Sequence, residues 1–255
     1  MDFSDLKGKR ALVTGGAAGI GKAIVEELLA NDVQVVVGQR DFGKLQPLLE
    51  KYAPQLHGFA FDAAKPEACD ELVSQAIEAL GGIDILVNNA AVTGTPAARW
   101  FLDETREHID SVIDVNLKSV IQTSVGAARQ MVAQGTGGVI IHISSIGAFG
   151  AQQTASVYCA SKAALTGLTQ AMAVELSAHN IRVVAVAPGD IQIEKSQAIA
   201  AAVGSLQPDP RFVPHTPLGS GAPQDIGSLV TFLVSRNAKF VTGTTWVVDG
   251  GWLAY

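Results

Sequence analysis

The chain has 255 residues, a formal net charge of −6 and a sequence pI near 5.3, so it carries no basic footprint for nucleic acid. Hydrophobic residues at 48% against 16% charged ones fill a core and exclude disorder. No apolar run approaches the ~18 residues that a membrane span needs. Only two cysteines occur, Cys69 and Cys159, with no CxxC pair and no His-rich neighbourhood. They offer neither a disulfide framework nor a metal site and fit a reducing compartment. The opening MDFSDLKGKR has acidic residues and no apolar core, unlike a signal peptide. A soluble, cytoplasmic protein is expected.

In chain order, Ala11–Val13 reads as a short buried strand, followed by TGGAAGIG from Thr14 to Gly21 and a helical pattern to Ala30. Gly15, Gly19 and Gly21 allow a tight turn, close backbone approach and close helix–strand packing. The helix start offers free N–H groups and partial positive charge to a pyrophosphate. Between a strand and a helix, this turn points to a dinucleotide site. The alternation continues with strand 33–37, helix 42–52 and strand 56–61 ending at Asp62. Pro66 can begin a helix that runs to Leu80, where Gly81-Gly82 stop it. Strand 83–87 runs into Asn88-Asn89-Ala90-Ala91, and 103–134 reads as one or two helices with Asn116 inside. Strands 139–143, 181–187 and 245–248 complete the pattern. Strands spaced by helices predict right-handed βαβ units: an α/β fold, a single-domain doubly wound parallel sheet of about seven strands with helices on both faces. The exception is 192–222, which holds four prolines (Pro208, Pro210, Pro214, Pro217) and a small helical patch at 198–203. An irregular stretch this long, after a strand's carboxyl end, reads as a substrate lid. Its apolar 198–206 part and its polar Gln192, Glu194, Lys195, Gln197 and Gln207 exclude neither a sugar nor a small ketone.

The chemistry concentrates between Gly138 and Lys162. Tyr158 and Lys162 are four apart in an Ala-rich helical segment, so phenol and ammonium share one helical face. A nearby cation favours the phenolate, which would let Tyr158 exchange a proton with substrate near neutral pH. Ser145, at the strand end, can hydrogen-bond the same substrate oxygen. Tyr-x-x-x-Lys alone is common on helix surfaces, so its meaning rests on the surrounding pieces. Cys159 has no basic partner in sequence and reads as a small packed residue. His142, within an apolar strand, reads as a satisfied core histidine, and His215 as a solvated loop residue.

TGGAAGIG, Asp62, NNAA, Asn116 within DVNL, ISS, YCASK, PGD and VDGG occur in this order. The ordered set resembles the short-chain dehydrogenase/reductase family over essentially the whole chain. The resemblance implies a seven-stranded Rossmann-like sheet, a nicotinamide cofactor, a small alcohol or carbonyl substrate and a homotetramer. It implies a catalytic tetrad of Asn116, Ser145, Tyr158 and Lys162, with Ser145 chosen over Ser144 by its spacing of 13 from Tyr158. Tyr158 would be acid in reduction and base in oxidation. Lys162 would lower its pKa and bind the nicotinamide ribose, Ser145 would polarise the substrate oxygen, and Asn116 would hold a water of a proton relay. Gln152, with Gln153 beside it, falls where the family lines its substrate pocket. Cofactor contacts carry over to Gly15, Ala18, Gly19, Ile20, Gly21, Gln39, Arg40, Asp62, Asn89, Tyr158, Lys162 and Ile191, with Asp62 on the adenine. The chain departs from the family at Ala91 (Gly there), Ile193 (usually Thr) and Val184 (often Asn).

Gln39 stands where NAD-selecting folds carry an acidic residue, and Arg40 follows, where NADP-dependent members often carry an arginine. NADP(H) is therefore favoured, with NAD(H) as the alternative, since Asp41 can supply the missing carboxylate and Ala17-Ala18 add no second base. The leading expectation is an oxidoreductase interconverting a secondary alcohol or sugar hydroxyl and a carbonyl. The alternatives are a 3-oxoacyl thioester reductase and a non-catalytic cofactor-binding regulator; the complete tetrad argues against the second.

Overall fold

The computed structural model describes residues 2–194, 196–207, 209 and 215–254, without the side chains of Gln197, Ile199 and Ala202. Lys195, Pro208, Pro210, Pro214 and the Gln197 side chain of the expected lid, and Tyr255 at the tail, lie outside the described residues. Seven parallel strands form one sheet in the order β3-β2-β1-β4-β5-β6-β7. They are β1 (Arg10–Thr14), β2 (Gln34–Gln39), β3 (Leu56–Ala60), β4 (Ile85–Asn88), β5 (Gly138–Ile143), β6 (Ile181–Pro188) and β7 (Thr245–Val248). Strand order reverses between β1 and β4, so a crevice opens at their carboxyl ends.

Both sheet faces are covered, which explains why the strands read as continuous apolar runs rather than alternating ones. On one face Val13, Val37, Val87, Ile141 and Val186 pack with Ile24, Val25 and Leu28 of α1 (Gly19–Ala30). On the other, Leu12, Val36, Leu86, Ile140 and Val183 meet Leu72, Val73 and Ala76 of α3 (Pro66–Leu80). Neighbours in sequence thus point to opposite cores, the period-two rule of a strand. α3 keeps the bounds expected of it, with Pro66 in its first turn and Gly81 as a left-handed cap.

Two expectations need correction, and the choice between one and two helices over 103–134 is resolved. The helix expected over 42–52 is a short 3₁₀ turn, Phe42–Lys44, then α2 (Gln46–Tyr52). Pro47 sits in the first turn of α2, where its missing N–H costs nothing, and so marks a start inside the span. The segment 103–134 is α4 (Arg106–Ile113) and α5 (Ser119–Gln134), joined by a π-helical turn at Asp114–Lys118. A helix absent from the expected series, α8 (Pro223–Val234), packs on α1, and a Cβ added at Gly227 would lie 3.0 Å from the Ala23 carbonyl. Its apolar stripe follows directly on the proline-rich stretch, which masked it. The helical patch in the expected lid is longer than read, α7 (Ser196–Gly204), and α6 (Ser156–Leu176) carries Tyr158 and Lys162.

Candidate active site

The turn after β1 is built from backbone needs. Gly15 and Gly19 take φ of +72° and +52°, which L side chains rarely adopt. A Cβ on Gly21 would lie 2.1 Å from the Gly15 carbonyl oxygen. Asn89, just past β4, locks this turn: its Nδ2 donates to the carbonyls of Thr14 (3.1 Å) and Gly15 (2.8 Å). In return Thr14 Oγ1 accepts from the N–H groups of Asn89 (3.0 Å) and Ala90 (3.1 Å). α1 then begins at Ala18 with no side chain capping its N–H groups. Those donors, with the positive end of the helix dipole, suit a phosphate.

Gln39 Oε1 accepts from the Ala17 N–H at 3.3 Å, which turns its side chain onto the glycine turn. Arg40 is exposed. Asp41 pairs with Lys44 at 2.7 Å, and that bond holds its carboxyl below the usual range. Asp62 accepts from the Ala64 N–H at 3.2 Å in a local turn, while the cap position of α3 belongs to Lys65. Ile20 packs its side chain on the core, leaving its N–H to the turn, and Ile191 bridges to Gly221 above β6. Of the departures, Val184 is plain core and Ile193 lies against Gly19, 3.1 Å from where a Cβ would be.

The four tetrad positions converge from three elements. The π turn carries one residue too many for an α-helix and holds Asn116 fully buried. Its Oδ1 accepts from the Val92 N–H at 2.7 Å, and its Nδ2 donates to the Val92 carbonyl (3.0 Å) and to Ser161 Oγ (3.2 Å). The Ser161 hydroxyl in turn donates to the Tyr158 carbonyl at 2.7 Å, tying Asn116 to α6. Ser145 follows β5 and accepts from the Gly147 N–H at 3.1 Å. Ser144 is buried and donates to the Lys162 carbonyl at 3.0 Å.

Lys162 is buried and donates to the Ile143 carbonyl at 2.8 Å, with its Nζ 5.8 Å from the centre of the Tyr158 ring. Burial brings its pKa down to about 8. The Tyr158 phenol goes the other way: burial raises its pKa, while the side chains of Ser145 and Thr93 flank it and pull it back as hydrogen-bond partners. The lowering by Lys162 expected from the sequence is therefore not what dominates here. An ammonium that is itself desolvated and turned to a carbonyl gives the phenol little, and burial wins.

His142 is a satisfied core histidine, as read from its strand. Thr169 Oγ1 donates to the Leu165 carbonyl (2.7 Å), so it accepts from His142 Nδ1–H (3.0 Å), leaving Nε2 to accept from Ser124 (3.3 Å). Burial, then the Lys162 charge, lower its pKa to about 3, so it stays neutral. Cys159 is half-buried, and burial raises its thiol pKa, which suits a packed residue and not a nucleophile.

Three loops meet at the mouth. Gln152 is half-buried, its Oε1 3.4 Å from where a Cβ on Gly147 would be, close to Cys159 and Ser145. Gln153 bonds the Asp209 backbone twice, at 3.0 and 2.9 Å, and Trp100 Nε1 donates to the Leu206 carbonyl at 3.0 Å. His215 is exposed. Sequence reading missed Thr93, Trp100 and Ser161. Only the position of Thr93 just after NNAA and of Ser161 within YCASK could have signalled them.

The family model described as enoyl-(acyl carrier protein) reductase matches residues 15–253. L-xylulose reductase of Bos taurus is 39% identical over 250 residues, covering 98% of each chain. The chain belongs to the short-chain dehydrogenase/reductase family. D-erythrulose reductase of Gallus gallus is 34% identical over 97% of this chain and 96% of that one. A solved short-chain type dehydrogenase/reductase from Mycobacterium marinum superposes with a TM-score of 0.89 at 36% identity, covering 100% and 99% of the two chains. The protein is thus an oxidoreductase acting on CH–OH and C=O groups with a nicotinamide dinucleotide. No helix among the described residues is long and apolar enough to cross a membrane.

Proposed function

We propose that the chain interconverts a small secondary alcohol or sugar hydroxyl with its carbonyl, using NADP(H) in preference to NAD(H). The convergence of Ser145 and Tyr158, beside a buried Lys162 and one strand from the glycine turn, carries this reading. The residues suit the cofactor: Gly15 to Gly21 would cradle the pyrophosphate, Gln39 and Arg40 would face the adenosine ribose, Asp62 the adenine, and Lys162 the nicotinamide ribose. Asn89 braces the turn, and Ile191 would border the nicotinamide. When bound, the nicotinamide supplies or accepts the hydride. Tyr158 gives its proton to the carbonyl oxygen in reduction and takes it from the alcohol in oxidation. Ser145 orients that oxygen, Gln152 lines the pocket beside it, and Lys162 passes protons towards Asn116. A phenol kept protonated by burial is poised as the acid, so reduction holds up at neutral pH and oxidation rises as pH rises. The relatives named for ketose reduction support a sugar-like substrate over a 3-oxoacyl thioester.

NADP(H) rests on Arg40, exposed beside Gln39, with Asp41 engaged by Lys44 and so unable to repel a 2′-phosphate freely. Following NADPH and NADH oxidation against ketoses, plain ketones and a 3-oxoacyl thioester tests the activity and the cofactor together. NADPH should bind more tightly, and Arg40→Ala should raise its dissociation constant about 10- to 100-fold with little effect on NADH. Gln39→Asp should shift preference to NADH. Tighter NADH binding by the wild type would overturn the NADP assignment, and turnover of the thioester alone would overturn the substrate class.

The same reading makes the protein a cytoplasmic homotetramer. Ile121, Val125 and Val132 leave an apolar stripe on the outer face of α5, and Val174 on α6 is 76% exposed. A lone surface helix would carry charge there. In that assembly α5 and α6 would pair across one axis, and the C-terminal tail from Trp246 to Tyr255 would close a second. Sedimentation at micromolar concentration should give four times the chain mass; a monomer would rule the assembly out.

A further inference from the structure

A second concentration of charge lies at the opposite edge of the sheet from the glycine turn. A cleft of about 200 Å³ opens at the amino ends of β4, β5 and β6, beside the start of β1. The cofactor crevice lies at the carboxyl ends, so a strand's length, about 17–20 Å, separates the two. Lys9, Arg182, Arg236 and Lys239 line the cleft against two carboxylates, Asp5 and Asp84. The chain carries a net charge of −6, so this cationic excess runs against the rest of its surface.

Both carboxylates are already engaged. Asp84 accepts from Nε and Nη2 of Arg10, each at 2.8 Å, and from the Arg10 backbone N–H at 3.0 Å, while Lys9 acts on it only at longer range. Asp5 accepts from the Arg236 backbone N–H at 2.8 Å and pairs with its Nε at 3.8 Å, and Asp2 takes the same guanidinium. Three cations of the wall remain. Arg182 is half-buried and fixed: Nη2 donates to the carbonyls of Leu233 (2.8 Å) and Ser235 (3.3 Å), and Nη1 to that of Val241 (3.2 Å). A guanidinium has five N–H groups, so two find no acceptor among the described residues. Burial pulls its pKa down, with the Asp5 charge a smaller opposing effect, as for a cation short of counter-charge. Lys9 and Lys239 make no ion pair or side-chain hydrogen bond among the described residues. A rigid guanidinium with spare donors, joined by two ammonium groups on flexible stems, is the donor set of an oxyanion site. The cleft has room for a phosphate-sized group and several waters, at about 30 Å³ for each water. We propose that this cleft is a second anion site, which binds inorganic phosphate through Arg182, Lys9 and Lys239. The bound anion ties the start of β1 to β6 and to the turn that follows α8.

Calorimetric titration with inorganic phosphate tests the site, chloride holding the ionic strength constant. The protein is first saturated with whichever nicotinamide dinucleotide it binds more tightly, so that the start of α1 is filled and cannot take the probe. Wild type should then show saturable phosphate binding. The double variant Lys9→Ala/Lys239→Ala removes two charges and no hydrogen bond, so its fold is kept. It should raise the phosphate dissociation constant about 10-fold. Lys7→Ala/Arg106→Ala removes as much charge from exposed positions outside the cleft and should leave that constant within about 2-fold of wild type. No saturable binding by the cofactor-saturated wild type, an unchanged constant in the Lys9/Lys239 variant, or an equal loss in the Lys7/Arg106 variant would overturn the proposal. The oxidoreductase reading rests on the other edge of the sheet and stands under each of these outcomes.

Discussion

Replacing Tyr158 by Phe is expected to lower turnover about 10²- to 10⁴-fold, the range that a positioned general acid contributes. The ring stays, so its packing beside Lys162 and the bond from Ser161 to its backbone carbonyl persist. What leaves is the transferable proton. The dissociation constant of the reduced cofactor should therefore change by no more than a few-fold. Steady-state rates and a fluorescence titration on the same preparation check both statements. A variant turning over near the wild-type rate would remove Tyr158 from the acid/base role. The wild-type pH profile adds a second check. Because burial raises the phenol's pKa, carbonyl reduction should be flat through neutral pH and fall only in alkali, with oxidation following the mirror trend.

Lys162→Met is expected to lose both turnover and cofactor affinity, since in the proposed mechanism one ammonium serves the ribose and the relay. Its effect on the free protein runs the opposite way. The folded-state pKa of about 8 lies below the ordinary lysine value, so the unfolded chain binds more protons between about pH 8 and 10.4. Below pH 8 the cost of the buried charge is present in full. As pH rises through the window the folded state sheds that charge and the cost fades. Wild type should gain about 2 kcal/mol of stability relative to Lys162→Met between pH 7.5 and 9.5. The variant leaves the Ile143 carbonyl without its donor, a loss of about 1–3 kcal/mol that offsets part of the relief. Urea unfolding of both proteins at the two pH values measures the difference. Equal pH responses would mean that Lys162 titrates normally and is not desolvated.

Much of the fold was legible because its signals are local. Pro66 and Gly81 bracket α3 through what a missing N–H and a missing Cβ permit, and both ends came out as read. The apolar strands named their own burial, because a parallel sheet covered on both faces leaves no polar alternation to find. α8 escaped because its stripe abuts the proline-rich stretch, and its partner, α1, lies some 200 residues earlier. The division of 42–52 escaped for a related reason, since a proline at a helix start looks in sequence like a residue within one.

For the site, the sequence by itself determined which groups are present and on which faces they lie. Glycines that must take positive φ, a strand-end serine, and a phenol and an amine one helical turn apart follow from chirality and helix geometry alone. Tertiary structure decided what those groups do to one another. It aimed Lys162 at Ile143 and left the phenol's pKa to burial, reversing the direction expected from adjacency. It made Asn116 a clamp on Val92 and, through Ser161, tied that loop to the helix of Tyr158. Desolvation and hydrogen bonding act through space at a few ångströms, and spacing along a chain reports such distances only within a helical turn or a strand pair.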